Sequence, residues 1–206
     1  MKVSDVVASV LAKHVGHVFC ISGGASLHLI HSIAAQKGLS YVCPQNEQAA
    51  SFAADAYARL NGLGCALSTS GPGATNLITG IATSFYDSIP TLFITGQQTR
   101  DRLSGGTGCR QIGFQETPIC DIVRPITKHA LMVMHEEMAG PEIERAIHIA
   151  RSGRPGPVLI DLPDDLQRAD ASAHRVFTPR AEPNYQNDVP ASEIVLELAQ
   201  AKRPLF

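Results

Sequence analysis

Apolar residues along this chain fall into two alternating rhythms. One is a set of short continuous runs: HVFCI at 17–21, GCALST at 64–69, TLFIT at 91–95 and PVLIDL at 157–162, with shorter ones at 40–43 and 128–134. Unbroken apolar runs of this length suit strands buried on both faces of a parallel sheet. Between them the apolar positions recur at helical spacing. Ser4 can cap a helix that carries Val6, Val7, Val10 and Leu11 inward and stops at Gly16. Further helices are expected over 26–36, from Glu47 to Leu60, over about 75–85 and over 136–151, with a polar, glycine-rich loop across 97–110. Strands alternating with helices predict an α/β fold: a parallel sheet covered by helices on both faces. In such sheets ligands bind beyond the carboxyl ends of the strands. Gly23-Gly24, Glu47 and Gly71-Pro72-Gly73 all stand at such ends.

The texture changes after about residue 166. Residues 167–190 are polar, hold three prolines and read as a linker. Residues 191–202 can form one amphipathic helix, and Arg203-Pro204-Leu205-Phe206 reads as the opening of a new strand. The expected organisation is one domain over 1–167, a linker over 168–190 and the truncated start of a second domain over 191–206.

Composition narrows the function classes. The 206 residues are 44% hydrophobic and 17% charged, with a net charge of −2 and no basic run. Nucleic acid and membrane surfaces therefore gain no electrostatic support as partners. No apolar stretch reaches the roughly 18 residues of a membrane span, and the start, with Asp5 in a helical pattern, is no signal peptide. Five widely spaced cysteines without a C-x-x-C pair predict buried, reduced thiols in a cytoplasmic protein. Phosphate-loop, dinucleotide-binding and hydrolase-elbow motifs are absent: Gly105-Gly106-Thr107-Gly108 sits in a loop, and Ser22 lacks the leading glycine. His135-Glu136-Glu137 fails the zinc-protease pattern because Ala139 stands where the second histidine belongs, and no metal ligand set is expected.

Two segments carry the chemistry. Glu47 is an acid in the first turn of a helix, a place the helix dipole alone would favour, with Asn46 near the cap. However, Ala49, Ala50, Ala53, Ala54, Ala56 and Ala58 would let that helix approach another element very closely. A carboxylate at the buried end of such a helix would be poorly solvated, favouring its proton-donating form or demanding a partner. The second segment is Thr69-Ser-Gly-Pro-Gly-Ala-Thr-Asn76. It reads either as a plain strand-to-helix turn or as one that brings backbone close to a flat ligand.

Seven blocks in order (ISGGAS, NEQAASFAADAYAR, TSGPGATN, FITGQ, GFQETPI, ITKHA and GRPGPVLIDLP) resemble the acetolactate synthase group of thiamine-diphosphate enzymes. The resemblance covers about residues 1–167 as that group's pyrimidine-binding domain, with 191–206 matching the start of its middle domain. It implies that Glu47 hydrogen-bonds the aminopyrimidine ring and helps release the thiazolium proton, giving the carbon nucleophile that attacks a 2-keto acid such as pyruvate. By the same matching, Gly23, Gly24, Thr69, Pro72, Gly73 and Asn76 border the cofactor, and Ala25, Phe114 and Gln115 line the substrate side. Magnesium would come with a missing C-terminal domain, whose loop a second subunit of a homo-oligomer supplies. Flavin use and the acceptor stay open. Arg154 matches a position that touches FAD in true acetolactate synthases, whereas Asp164 stands where many have Lys. ISGGASLHLIHSIA and RQIGFQETPI look more like relatives that ligate acetyl units onto other acceptors, such as nucleotide-linked keto sugars. A 2-keto acid decarboxylase and a non-catalytic binding domain are the remaining alternatives.

Overall fold

The computed structural model describes residues 1–171, 177 and 191–203. Six strands form one sheet: β1 (His17–Cys20), β2 (Ser40–Val42), β3 (Gly64–Ser68), β4 (Thr91–Gln97), β5 (His129–Met132) and β6 (Val158–Pro163). All are parallel, in the order β2-β1-β3-β4-β6-β5. Every residue of β3, β4 and β6 is buried, as unbroken apolar runs require.

Helices cover both faces, and the side-chain alternation of the strands decides which. Leu92 and Ile94, Val158, Ile160 and Leu162 point to one face with Cys65 and Leu67. There they meet α1 (Val3–Leu11), α2 (Leu27–Ala35) and α7 (Ala139–Arg151) through Val7, Leu11, Leu29, Ile33, Ile143 and Ile147. Phe93 and Leu159 point the other way with Ala66. They meet α3 (Glu47–Asn61), α4 (Pro72–Asn76), α5 (Ile78–Tyr86) and α6 (Ile119–Val123) through Ala54, Ala74, Leu77, Ile81, Ile119 and Val123.

Of the six alanines expected to let α3 pack closely, Ala50, Ala54 and Ala58 are buried, Ala49 and Ala53 are half-buried, and Ala56 is exposed because it turns away from the sheet. A Cβ placed on Gly64, the first residue of β3, would stand 1.9 Å from the carbonyl oxygen of Ala54. Strand and helix touch backbone to backbone there, which only glycine and alanine permit. Farther along α3, Asp55 accepts hydrogen bonds from Arg59 (2.7 Å) and from buried Ser84 of α5 (2.8 Å).

Several elements depart from the sequence expectations. Ser4 does not cap α1. It is buried inside the helix, where its hydroxyl accepts from Ser32, and the Asp5 carboxylate takes the Lys2 N–H instead. The expected helix over 75–85 starts earlier, because Pro72 needs no N–H partner at a first-turn position, and it divides into α4 and α5. The helix expected from 136 opens as a 3₁₀ turn, Glu136–Met138, before α7 begins. The short helices α6 and α8 (Asp164–Arg168) had no periodic signal. After α8 the backbone returns to the N-terminus: Val3 N–H donates to Ala169 O and Ala171 N–H to Met1 O, both at 3.0 Å. Most of the expected linker lies outside the described residues. A helix α9 spans Ala191–Gln200.

Candidate cofactor site

The carboxyl ends of β1 and β3 and the start of α3 converge at one rim of the sheet. Asn46 caps α3 by accepting the Ala49 N–H at 2.8 Å, which leaves Glu47 as the first helical residue. One oxygen of Glu47, Oε2, accepts from Asn76 Nδ2 at 3.0 Å. The other, Oε1, faces Gly73: a Cβ on that glycine would lie 3.5 Å from it. Glu47 and Asn76 lie 29 residues apart. Their meeting follows from the adjacency of α3 and α4 on one sheet face.

Thr69 sits at the centre. Its hydroxyl accepts the Ala25 N–H at 3.2 Å. A Cβ on Gly23 would stand 2.4 Å from its methyl, and one on Gly73 2.8 Å. Both glycines are therefore spacers that let two backbone turns close on one threonine. Gly71 adopts a left-handed φ of 61°. A side chain there would be strained and would also strike Gln115, whose carbonyl oxygen would lie 2.8 Å from the added carbon. The Gly-Pro-Gly turn thus brings Gln115, itself at φ 61°, against the end of β3.

Beside Thr69 opens a cavity of about 310 Å³, lined by Gly24, Ala25, Thr69, Phe114, Gln115 and Asp164 with Ser70, Gln98 and Thr99. Gly24 has open space on its Cβ side, and Phe114 is 79% exposed. Five of the residues expected to border a ligand therefore share one cavity. Glu47, Gly23, Pro72, Gly73 and Asn76 do not line it; Gly23 and Gly73 abut Thr69, and Asn76 and Gly73 abut Glu47.

The reading of Glu47 as a carboxylate behind a buried strand is corrected. The strand before it, β2, is exposed at all three residues because it is an edge strand pairing only with β1. The helix α3 packs through Ala50, Ala54 and Ala58, which leaves its first residue half-buried at the rim. The expectation of buried thiols is corrected as well. All five cysteines are free, but only Cys20 and Cys65 are buried, and Cys43 and Cys109 are exposed. Arg154 donates to Ser88 Oγ at 2.7 Å.

Sequence reasoning missed the residues that tie down the chain next to the cavity-lining Thr99, Gln115 and Asp164. Arg100 bonds Asp165 (2.6 Å), Glu136 (2.7 Å) and the Met134 carbonyl (2.8 Å). The Arg100 bond holds the Glu136 carboxyl below its usual range. Asp165 is also held low: burial raises it, but the Arg100 bonds outweigh that. Inside the 98–117 loop, Glu116 accepts from Ser104 N–H (2.6 Å), Ser104 Oγ (2.7 Å) and Ile112 N–H (2.9 Å). No local pattern announces these partners.

A thiamine pyrophosphate enzyme N-terminal TPP binding domain matches residues 1–124. This chain belongs to that family. Its curated relatives include chloroplastic acetolactate synthase 2 of Nicotiana tabacum, 39% identical over 213 aligned positions that cover 100% of this chain and 31% of the enzyme. The acetolactate synthase of Arthrospira platensis is 46% identical over 77% of this chain and 27% of its own length. The large subunit from Buchnera aphidicola is 40% identical over 80% of this chain and 28% of its own. The chain thus spans about a third of the length of the curated relatives it matches.

The residues present suit one end of thiamine diphosphate. A carboxylate with one oxygen bonded to Asn76 keeps a second oxygen that can bond a ring nitrogen. For the diphosphate end, no group of three His, Cys, Asp or Glu among the described residues is placed to hold a metal ion. Among the same residues, no helix is long and apolar enough to cross a membrane.

Proposed function

We propose that this chain is the pyrimidine-binding part of a thiamine-diphosphate-dependent carboligase of the acetolactate synthase type, acting on pyruvate or a related 2-keto acid. The observation that carries the proposal is the Glu47–Asn76 pair facing the Gly73 turn, in a chain whose relatives are named acetolactate synthases. Those names favour this reading over a ligase for other acceptors, a decarboxylase or a non-catalytic module.

Bound thiamine diphosphate supplies the carbon nucleophile for attack on the keto carbon. The work of the chain is to hold the ring and to manage one proton. Asn76 pins Glu47 Oε2, which leaves Oε1 as the oxygen that would hold or give up a proton toward a bound pyrimidine ring. Gly23, Gly24, Thr69, Pro72 and Gly73 border the ring, and Ala25, Phe114 and Gln115 line the space for substrate. In this reading residues 1–167 form the cofactor domain, 168–190 the linker and 191–206 the start of the middle domain. Magnesium and the diphosphate are held by a C-terminal domain of a second subunit in a homo-oligomer. Exposed free thiols at Cys43 and Cys109 suit a reducing, cytoplasmic setting.

Glu47→Gln in the full-length protein tests the assignment. Turnover should fall by roughly 10²–10⁴, the contribution of a positioned proton-transfer group, while thiamine diphosphate still binds. Exchange of the cofactor's C2 proton, followed by NMR, should slow in parallel. Exchange as fast as in the wild type would remove Glu47 from this role.

A further inference from the structure

Asp161 is a fully buried carboxylate in the middle of β6 that the chemistry above does not use. Its sheet partner is Thr95, so the side chains of Asp161, Thr95 and Gln97 share the face covered by α6. Thr95 Oγ1 donates to Asp161 Oδ1 at 2.7 Å, and Gln97 Nε2 donates to Asp161 Oδ2 at 2.9 Å. The same Nε2 donates to the Thr117 carbonyl at 2.8 Å, and Gln97 Oε1 accepts the Gln98 N–H at 3.0 Å. One buried amide therefore grips the chain on both sides of the 98–117 loop, and Asp161 holds that amide in place.

We propose that Asp161 is a positioning residue for the substrate side of the site: through Gln97 it clamps both ends of the 98–117 loop and so sets Phe114 and Gln115 over the cavity. The loop interior is already tied together by Glu116, so fixing its ends fixes the whole. The loop's inner edge is also held by Gln98, the residue next to the clamp. Gln98 Nε2 donates to Ser70 at 3.4 Å, and a Cβ on Gly113 would stand 2.6 Å from Gln98. An acid buried in this face is costly unless its oxygens are hydrogen-bonded, and Thr95 and Gln97 supply those bonds. Burial raises its pKa to about 7, against the lowering effect of Thr95 and Gln97. The titratable group facing it from α6 is the Cys120 thiol, raised first by burial and then by the Asp161 charge. Either protonation state keeps the clamp, because Thr95 can donate or accept while Gln97 donates. An asparagine can do the same.

The inference rests on reading Phe114 and Gln115 as substrate-lining, and its test separates the two. In the full-length protein, Asp161→Ala should speed amide hydrogen exchange across residues 98–117 by about tenfold or more while β3 and β4 keep their protection. Asp161→Asn should restore slow exchange. Gln97→Met removes the shared donor and should loosen the loop alone, which keeps the idea testable if Asp161→Ala does not fold. Unchanged loop exchange in both Asp161→Ala and Gln97→Met, or loosening spread equally over the core, overturns the clamp. A loosened loop with an unchanged KM for the 2-keto acid upholds the clamp and removes the loop from the substrate site.

Discussion

At the scale of single residues, two buried or half-buried charge clusters respond to pH with opposite sign. Arg100 holds Glu136 and Asp165 below their usual pKa range. A depressed carboxylate stabilises the fold above its unfolded value of about 4, and that stabilisation disappears as pH falls through the folded value. Arg100→Met should therefore cost about 1–2 kcal/mol near neutrality, and thermal melts should show the gap from the wild type closing below about pH 4. Asp161 is the reverse case, with a folded value raised to about 7. Its contribution is complete below about pH 4 and is lost as pH rises through 7. The melting temperature of Asp161→Asn should thus gain on the wild type as pH increases from 5 to 8. A gap that stays flat over this range would show that Asp161 is ionised throughout.

At the scale of elements, the close approach of α3 to β3 places the first residue of that helix at the rim. Ala54 and Gly64 meet backbone to backbone. Gly64→Ala inserts a methyl where no rotamer can move aside, and overpacking of this kind costs about 1–3 kcal/mol or more. A chemical denaturation series should find that loss, with Glu47 displaced from Asn76 as α3 shifts. A stability within about 0.5 kcal/mol of the wild type would mean that helix and strand are not in backbone contact. Helix periodicity located α3 to within one residue of its observed end at Asn61, because its cap Asn46 and its stop Gly62 are both local signals. It could not locate α6 or α8. Each is five residues long, too short to display a period, and each covers one face of the sheet: Ile119 and Val123 of α6 on one, Leu166 of α8 on the other.

At the scale of the molecule, large apolar side chains remain on the surface beside the site. Tyr41 and Val42 of the edge strand and Phe52 of α3 are 50%, 41% and 41% exposed. Unpaired strand edges and apolar patches of this kind favour association. The 206-residue chain should self-associate, seen as a concentration-dependent mass in sedimentation, and should not consume pyruvate with thiamine diphosphate and magnesium supplied. Turnover by this chain alone would place the diphosphate site within it and would sink the division of labour proposed above.

The sequence by itself determined the layered α/β architecture, since unbroken apolar runs can be satisfied only by strands covered on both faces. It also marked Glu47, Thr69 and the Gly-Pro-Gly turn, because cap and turn residues act over a few positions and leave a local trace. Only the tertiary structure decided which of these meet. Strand order put β1 and β3 side by side, so Gly23 and Gly73 close on Thr69 and Asn76 reaches Glu47. The partners of Arg100 lie up to 65 residues away and the Asp161–Gln97 pair 64 apart. Hydrogen bonds across such separations depend on the register of strands and on no repeat in the chain, which is why the residues that hold the loop in place were invisible until the sheet was assembled.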